Sequence, residues 1–178
     1  MRVKKMKKII AFIIVISALT LALASCTDSG IKYEDVTYRE NGIEFTLPSS
    51  MRRSTDPTTP YTFSTPDVVF YAEKLSYESV TENGLEIGKS FTAKEYVDIV
   101  IADLDKDQLY LTEDEANNRY TFRYTVGETE ETEVFYYVVV VGTSGNVWEV
   151  TMSCYQDVSS DHVDTFELWA KYISTYSE

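Results

Sequence analysis

Residues 134–141 form an uninterrupted apolar run, VFYYVVVV, which limits the fold more than any other segment of the chain. Successive side chains of a β-strand point to opposite faces of the sheet, so a strand made of this run is apolar on both faces. Such a strand belongs in the middle of a sheet that is covered on both sides. The run therefore predicts a sheet with a packed layer on each face.

The segments on either side of this run alternate between apolar and polar residues, which is typical of strands with one buried face. The alternating apolar positions are Tyr120, Phe122, Tyr124 and Val126 before the run, and Trp148, Val150, Met152 and Cys154 after it. Residues 143–146 have the composition of a turn, which lets the segment 147–155 pair back as the last strand. With a further short strand at 109–112, the second half of the chain is predicted to be mainly sheet.

The first half contains further predicted strands. Asn41-Gly42 is a strong hairpin signal, because both residue types accept the backbone conformation of a tight two-residue turn. The predicted strands of this half are 36–38, 43–47, 61–64 and 68–76. The stretch 48–60 is predicted to be an irregular loop, and 77–89 a loop or a ragged hairpin.

Two segments carry helix signals. Thr92 and Glu95 have the spacing of a capping box, and an apolar stripe follows them, which predicts a helix at about 93–105. A second helix closes the chain after N-cap candidates at 159–161. Its apolar positions, three and four residues apart, are Val163, Phe166, Trp169, Ala170 and Ile173. The predicted fold is α+β, with a mainly antiparallel sheet of about six or seven strands flanked by two main helices.

The beginning of the chain has the pattern of an export signal. Five basic residues among the first eight are followed by a 16-residue apolar run that only Ser17 and Thr20 interrupt. This is typical of a secretory signal peptide, and the run is at or below the roughly 17–25 residues that a transmembrane helix needs. The sequence LASC at 23–26 resembles the bacterial lipobox.

We therefore predict three regions: a lipoprotein signal peptide at 1–25, a lipidated Cys26 with a polar tether at 26–35, and a single globular domain at 36–178. The thiolate of Cys26 would take the diacylglycerol. Two or three acyl chains anchor a protein stably, so the domain is expected in the cell envelope, at the extracytoplasmic face of the membrane. The alternative is a plain signal anchor in which Cys26 has no special role.

The predicted domain is strongly acidic. Five of the 16 basic residues lie in 1–25 and none of the 29 acidic residues does, so 11 basic against 29 acidic residues leave a net charge of −18. Such a surface repels nucleic acid and anionic lipid head groups. A nucleic-acid partner is therefore not expected, and the predicted contact with the membrane is the lipid on Cys26.

Cys154 is the second of the two cysteines. Cysteines of exported proteins usually pair, but lipidation of Cys26 leaves Cys154 without a disulfide partner. The alternation of its strand places Cys154 on the same apolar face as Trp148, where a free thiol behaves as a small hydrophobic group. We therefore expect Cys154, Trp148 and Trp169 to be core residues.

The layout resembles that of the PsbP-like superfamily of exported and lipid-anchored proteins, over about residues 36–175. The similar motifs are GIEFTLP at 42–48, the Thr-capped middle helix, and a closing series made of the long apolar strand, a strand with Trp148 and Cys154, and the helix from Val163. The resemblance implies an α/β/α sandwich around an antiparallel sheet. It also implies a binding or assembly factor, since members are mostly such factors without a shared active site, so no catalytic residue is carried over.

Few residues have the type and spacing of a catalytic or metal site. His162 is the only histidine, and we interpret it as a solvent-facing residue in the first turn of the last helix. The sequence contains no nucleophile elbow, zinc-protease motif or glycine-rich phosphate loop. Four aspartates are spaced like the ligands of a calcium loop: Asp103, Asp105, Asp107 and Asp114. Because Gln108 stands where that loop requires glycine, we prefer a solvated helix end, and we predict no catalytic residue, metal ligand or cofactor.

Two other groups of residues have a plain structural interpretation. A run of acids, predicted to be a solvated hairpin tip, consists of Glu128, Glu130, Glu131 and Glu133. Tyrosines predicted to lie near strand ends are Tyr61, Tyr77, Tyr110 and Tyr155. Tyrosine can present a flat face with a polar tip to a sugar or a protein, although most of the tyrosines are expected in the core or on the sheet.

The leading functional hypothesis is a non-enzymatic, membrane-anchored extracytoplasmic lipoprotein that acts as a binding or assembly module for an envelope protein. One alternative is a protein that captures a small ligand, such as a cation or a glycan. A third and less favoured hypothesis is a carboxylate-dependent hydrolase. Two close carboxyl groups in one cleft, one of them with a raised pKa, would support that hypothesis.

Overall fold

The computed structural model of the protein describes residues 34–104, 109–127, 129 and 132–177. The strands in these ranges are β1 (Asp35–Glu40), β2 (Ile43–Pro48), β3 (Arg52–Arg53), β4 (Thr62–Ser64), β5 (Val68–Leu75), β6 (Tyr110–Asp114), β7 (Arg119–Val126), β8 (Val134–Thr143), β9 (Asn146–Tyr155) and β10 (Ser174–Thr175). The helices are α1 (Tyr77–Glu82), α2 (Ala93–Asp103) and α3 (Ser159–Lys171). Short 3₁₀ turns at Glu115–Asn117 and Gln156–Val158 lead into β7 and α3.

Seven of these strands form one antiparallel sheet, in the order β3-β4-β5-β9-β8-β7-β6. Strand β8 contains the apolar run and lies inside the sheet, between β9 and β7. Its residues 138–141 are at most 2% exposed, although they point alternately to opposite faces. The prediction of an interior strand covered on both sides is therefore confirmed.

A smaller sheet of three strands, β1-β2-β10, covers one face of the seven-stranded sheet together with α3. We call the apolar side chains between these layers the first core. Its largest fully buried members include Phe45 of β2, Phe63 and Phe70 of the large sheet, Trp148 of β9 and Phe166 of α3. The sequence did not predict that the β1–β2 hairpin would leave the main sheet and cover its face.

The opposite face of the seven-stranded sheet is covered by α2 and α1, which enclose the second core. Val97 of α2 and Val80 of α1 pack there against side chains of β7 and β8, such as Phe122 and Val140. The two main helices thus lie on opposite faces of an antiparallel sheet. This confirms the predicted α+β class, the strand number and the two flanking helices.

Two local signals in the sequence determine where elements begin. Asn41 and Gly42 join β1 to β2 with φ angles of 51° and 91°, the positive values that a tight hairpin turn requires. At the start of α2, the Oγ1 atom of Thr92 accepts a hydrogen bond from the Glu95 backbone, and the Glu95 carboxylate accepts one from the Thr92 backbone at 2.8 Å. Both predictions are confirmed, and α2 ends at Asp103, two residues before the predicted end.

The structure differs from the local predictions at other places. The segment 48–60, predicted to be an irregular loop, contains the short strand β3, which pairs with β4. Residues 77–89 were expected to lack a helix, but α1 begins at Tyr77 because Ser76 and Ser79 form a reciprocal capping box with hydrogen bonds of 3.0 Å. The start of α3 has no side-chain cap, although 159–161 supplied candidates. A 3₁₀ turn runs directly into α3 there, and Ser159 instead donates a hydrogen bond to the carbonyl oxygen of Gln156 at 2.7 Å.

Candidate functional site

Several residues singled out by the sequence lie outside the described ranges. The signal peptide and Cys26 are among them, so their roles stay predictions. Also outside are Asp105, Asp107, Glu128, Glu130 and Glu131. Within the described ranges, no group of three or more His, Cys, Asp and Glu side chains is arranged to hold a metal ion.

His162 is partly buried and not simply solvent-facing. Its ring stacks on Phe166 of α3, with ring centroids 6.0 Å apart and planes inclined by 18°. Because Phe166 is fully buried, the imidazole of His162 covers part of the first core. The interpretation of His162 as a solvent-facing residue is therefore only partly correct, because its side chain also contributes to packing.

Cys154 is a free cysteine in the first core, where it is 5% exposed. The antiparallel register places it opposite Val68 of β5 and Phe135 of β8. Burial raises the pKa of its thiol to about 12, and the nearby Asp157 and Asp67 add to the rise. The thiol therefore stays protonated at neutral pH and packs as a small apolar group, as the strand pattern predicted.

The tyrosines predicted to lie near strand ends do not come together. Tyr61 packs edge-on against Trp148 in the first core, with ring centroids 5.5 Å apart. Tyr77 belongs to α1, Tyr110 is 65% exposed on β6, and Tyr155 is 36% exposed at the end of β9. A single aromatic ligand-binding cluster made of these four residues is therefore not formed.

The structure instead brings two carboxyl groups together beneath α2. Glu73 of β5 and Glu149 of β9 are direct partners in the antiparallel register, and both are partly buried. Tyr71 donates a hydrogen bond to Glu73 at 2.9 Å, and Tyr96 of α2 donates one to Glu149 at 2.6 Å. Thr151 donates a longer one, of 3.4 Å, to Glu149. We call these five residues the carboxylate cluster.

Burial controls the protonation of this cluster. It raises the pKa of Glu149, and the neighbouring Glu73 raises it further, whereas the hydrogen bonds from Tyr96 and Thr151 lower it. The pKa values of the Tyr71 and Tyr96 hydroxyls are also raised, mainly by burial and then by the charge of the acid that each one contacts. Both tyrosines are therefore neutral hydrogen-bond donors over the physiological pH range.

The carboxylate cluster has two features of a carboxylate-dependent hydrolase, namely close acids and one raised pKa. Both carboxylates, however, accept hydrogen bonds from tyrosine hydroxyls. The Glu149 carboxylate is also covered by the buried Tyr96. The cluster therefore fixes α2 to the sheet and does not form an open reaction site.

Replacing Glu149 by glutamine is expected to raise the melting temperature at pH 8 and to change it little at pH 4. The raised pKa means that the folded protein binds this proton more tightly than the unfolded chain, whose value is near 4.5. This tighter binding of the proton stabilises the folded protein in full at pH values below the pKa of Glu149 in the unfolded chain. The stabilisation is lost as the pH rises through the pKa of Glu149 in the folded protein. Glutamine stays neutral and keeps an acceptor oxygen for Tyr96.

Thermal melts of Glu149→Gln between pH 4 and pH 8 would measure this effect. The matched control is Glu82→Gln, because Glu82 is exposed on α1 and its replacement changes the net charge by the same amount. An equal rise in melting temperature at pH 8 for both variants would show that the gain comes from overall charge repulsion and not from the buried carboxyl group.

A second polar region lies at the sheet edge that β6 forms. Strand β6 is the last strand of the seven-stranded sheet, and β7 is its one neighbour among the strands that the structure describes. Beside it, a cleft of about 370 Å³ opens between the strands β6–β8 and α3. We call it the edge cleft and define it by the lining residues Tyr110, Thr112, Thr121, Arg123, Tyr137 and Glu167.

One row of side chains forms the centre of the edge cleft. The register places Tyr110, Arg123 and Tyr137 next to one another on β6, β7 and β8. The Arg123 guanidinium lies 4.6 Å from the centroid of the Tyr110 ring, and its Nη1 atom lies 3.7 Å from Glu167 Oε1 of α3. Burial and the Glu167 charge raise the pKa of Tyr137, so its hydroxyl is neutral.

These contacts hold an exposed tyrosine and an arginine in defined positions before any partner binds. Tyr110 is the most exposed of the large hydrophobic residues in the described part of the chain, at 65%. An arginine held between an aromatic face and a carboxylate loses less freedom on binding than an unrestrained one. The edge cleft can therefore offer a preformed contact surface.

The sequence indicated only one member of the edge cleft. Tyr110 was expected near a strand end, but Arg123 and Glu167 stand 44 residues apart and carry no motif that joins them. The alternation within 120–126 placed Arg123 on the sheet face opposite to Tyr120, and this was the only sequence signal for the position of Arg123. The contact of Arg123 with α3 depends on how that helix crosses the sheet.

No helix within the described ranges combines the length and the apolar character needed to span a bilayer. Comparison of the sequence with protein-family models finds no match, and comparison with curated proteins finds none either.

Comparison with solved structures finds proteins of similar fold. The PsbP protein of Synechocystis sp. PCC 6803, CyanoP, has a TM-score of 0.47 and 15% identity over 86% of this chain and 99% of that one. LpqN, involved in cell envelope biogenesis of Mycobacterium tuberculosis, has a TM-score of 0.48 and 12% identity over 84% of this chain and 93% of that one. A protein from Bacteroides thetaiotaomicron VPI-5482 has a TM-score of 0.45 and 15% identity over 76% of this chain, which spans 46% of its length.

These similarities concern the fold alone. CyanoP is a PsbP protein, and its similarity to this chain does not assign the chain to a family. The α+β architecture with its antiparallel seven-stranded sheet is confirmed by the structure itself. Membership of the chain in the PsbP-like superfamily stays a prediction.

Proposed function

We propose that this protein is a non-enzymatic extracytoplasmic binding module, tethered to the membrane through a lipid on Cys26, that docks an envelope protein at the edge cleft. The observation that carries the proposal is the exposed Tyr110 ring, which lies against Arg123 on the strand that ends the sheet among the described residues. Tyrosine and arginine are the residue types that, with tryptophan, most often supply the binding energy of protein interfaces.

The edge strand adds to this argument. Proteins usually protect a sheet edge with charged side chains, a very short strand or a covering segment. Strand β6 ends in Glu113 and Asp114, whereas its first residue is the exposed Tyr110. The apolar surface at this point is therefore open next to an acidic strand end, an arrangement suited to a partner that covers the tyrosine and pairs with the acids.

The charge of the domain suggests the chemistry of the partner. With a net charge of −18 for the residues after the signal peptide, the module attracts a protein whose contact surface carries lysine and arginine. The same charge repels anionic lipid head groups, which favours a domain that projects from the membrane on its tether. An envelope protein with a basic contact surface therefore fits both the tether and the charge.

Site-specific crosslinking in intact cells would test the proposal. A photoreactive phenylalanine derivative in place of Tyr110, which keeps an aromatic ring at this position, is expected to capture one recurrent envelope protein. Arg123→Ala is expected to reduce the yield about 5- to 30-fold, which corresponds to about 1–2 kcal/mol of binding energy. Higher salt in isolated envelopes is expected to reduce the yield further, because surface charges are then screened.

The matched control places the same photoreactive residue at Glu82, which is exposed on α1 at the opposite face of the large sheet. Capture of the same protein at equal yield from both positions would contradict a docking role for the edge cleft. The absence of any recurrent partner from position 110 would contradict the proposed function as a whole.

A further inference from the structure

The hydrogen bonds of the inner strands determine which backbone groups of β6 point outwards. In an antiparallel pair, residues that bond the partner strand alternate with residues whose backbone groups point away from it. Gly142 of β8 donates to the carbonyl oxygen of Asn118 at 3.1 Å, and the register of β7 with β8, continued by one residue, places the two opposite each other. The backbone groups of the next residue, Arg119, therefore point towards β6, and so do those of residues 121 and 123.

A second hydrogen bond, at the other end of β8, gives the same alternation. Gln156 donates to the carbonyl oxygen of Glu133 at 2.9 Å, one residue beyond the register of β8 with β9. The odd-numbered residues of β8 consequently bond β9, and the even-numbered ones, which include Gly142, bond β7. The two ends of β8 agree, so the alternation holds along the whole strand.

This alternation assigns the backbone groups of β6. Tyr110, Thr112 and Asp114 stand opposite those residues of β7 whose backbone groups point towards β6, so their own groups bond β7. Leu111 and Glu113 alternate with them and direct their N–H and C=O groups to the outer side of β6. No described backbone group beyond β6 and β7 bonds to Leu111 or Glu113. The outer side of β6 therefore presents two donors and two acceptors in the geometry of a strand.

The charge at the end of β6 limits what can pair there. Glu113 and Asp114 are followed directly by Glu115, and the nearby Lys94 forms its own salt bridge with Asp98 at 2.9 Å. Pairing of two copies of the chain through β6 would bring together two such acidic ends and two domains with a net charge of −18 each, which is unfavourable. A segment that carries lysine or arginine is attracted by the same charges.

We propose that the partner binds as an extended basic segment that pairs antiparallel with β6 and adds a further strand to the sheet. This inference rests on the proposed function, because it states how the envelope protein is held beside the edge cleft. Four backbone hydrogen bonds join the segment to Leu111 and Glu113. Antiparallel pairing is the more stable arrangement per residue.

The side chains of β6 determine the sequence pattern of such a segment. From its N-terminus, the segment has two basic residues beside Asp114 and Glu113, then one residue beside Thr112. Two apolar residues follow, beside Leu111 and Tyr110. The basic residues neutralise the acidic strand end, and the apolar residues cover the exposed Tyr110.

Titration of a fluorescent synthetic peptide into the full-length lipid-anchored protein in nonionic detergent would test the pairing, with protein-free micelles as the baseline. The peptide has the five-residue core lysine-lysine-threonine-valine-valine and blocked termini, and it is expected to bind with one-to-one stoichiometry. N-methylation of the second and fourth core residues, whose amides face Glu113 and Leu111, is expected to weaken binding about tenfold or more. The matched control is methylated at the first and third core residues, whose amides point away from β6, and is expected to keep its affinity.

A charge reversal locates the binding on β6. Glu113→Lys is expected to weaken binding of the peptide about tenfold and to strengthen, a few-fold, binding of a second peptide in which glutamate replaces the second lysine. The matched control is Glu82→Lys, which makes the same change of charge at an exposed position of α1 and is expected to leave both affinities nearly unchanged. Equal melting temperatures of the two variants would show that both are folded.

Three results would overturn the strand pairing: no binding of the peptide, equal affinity of the two methylated peptides, or equal weakening by Glu113→Lys and Glu82→Lys. If crosslinking from position 110 nevertheless captures an envelope protein, the docking proposal stands and only the mode of binding is wrong. Binding of the peptide in the predicted pattern, without capture of any protein in cells, would support the pairing and contradict the proposed function.

Discussion

Replacing Gly142 by alanine is expected to lower the melting temperature by about 10 °C, which corresponds to about 3 kcal/mol of the free energy of unfolding. Gly142 has a φ angle of 123°, a value that residues with a Cβ atom rarely adopt. A Cβ atom built on its backbone would lie 2.0 Å from the carbonyl oxygen of Asn146. Because the overlapping oxygen atom belongs to the backbone of Asn146, a side-chain rotation cannot relieve the overlap.

The position of Gly142 explains why this strain would spread. Its amide donates to the carbonyl oxygen of Asn118 at 3.1 Å, and the strand residue opposite it is Val147. Asn146, which the new Cβ atom would displace, accepts a hydrogen bond from Trp148 Nε1 at 3.2 Å. Its Nδ2 atom also lies 3.5 Å from the Gly42 carbonyl oxygen, which joins the small sheet to the large one. A shift of Asn146 therefore loosens both sheets.

Two other glycines provide controls for Gly142→Ala. Gly88→Ala is expected to leave stability nearly unchanged, because no atom lies within 4 Å of the new Cβ atom and Gly88 has no positive φ angle. Gly145→Ala introduces strain at a φ angle of 82° without a clash, which is expected to cost about 1 kcal/mol. Thermal and urea unfolding of the three variants would measure the series. Equal stability of Gly142→Ala and Gly145→Ala would contradict the predicted clash.

Replacing Cys26 by serine is expected to abolish incorporation of a radiolabelled fatty acid and to leave the protein unprocessed or released from the membrane. The thioether to diacylglycerol forms at a cysteine sulfur, and serine supplies none. The expected change is all-or-none, since a chain without acyl groups has no stable anchor once its signal peptide is removed. Metabolic labelling followed by membrane fractionation would measure both outcomes.

The control for this experiment is the other cysteine. Cys154→Ser is expected to keep full labelling and membrane retention, because the Cys154 thiol is 5% exposed in the first core and cannot reach a membrane enzyme in the folded domain. Continued labelling of Cys26→Ser would refute the lipobox prediction, and with it the tether in the proposed function. The fold does not depend on this result.

Local signals predicted the elements that form the large sheet and its helices. The apolar run in β8 required an interior strand, and the Thr92–Glu95 spacing marked the start of α2. The alternation around Cys154 placed it in the core. Each of these signals lies within a dozen residues, where strand alternation, helix periodicity and capping act directly on the chain.

The prediction was incomplete wherever a structure depends on segments far apart in sequence. The sequence suggested an aromatic cluster or a calcium loop as alternative sites, and it did not indicate the edge cleft or the carboxylate cluster. Glu149 meets Tyr96 across 53 residues, and Arg123 meets Glu167 only because α3 crosses the sheet beside β7. No local pattern encodes such crossings.

The sequence by itself determined the class of the domain, its interior strand, the positions of α2 and α3, and the buried state of Cys154. Only the tertiary structure decided that β1 and β2 leave the main sheet to cover its face, and that Glu73 stands beside Glu149. The physical reason is that alternation specifies which face of a strand is apolar but not which strand pairs with it. Pairing depends on the register of β5 against β9 and on the packing of both cores together.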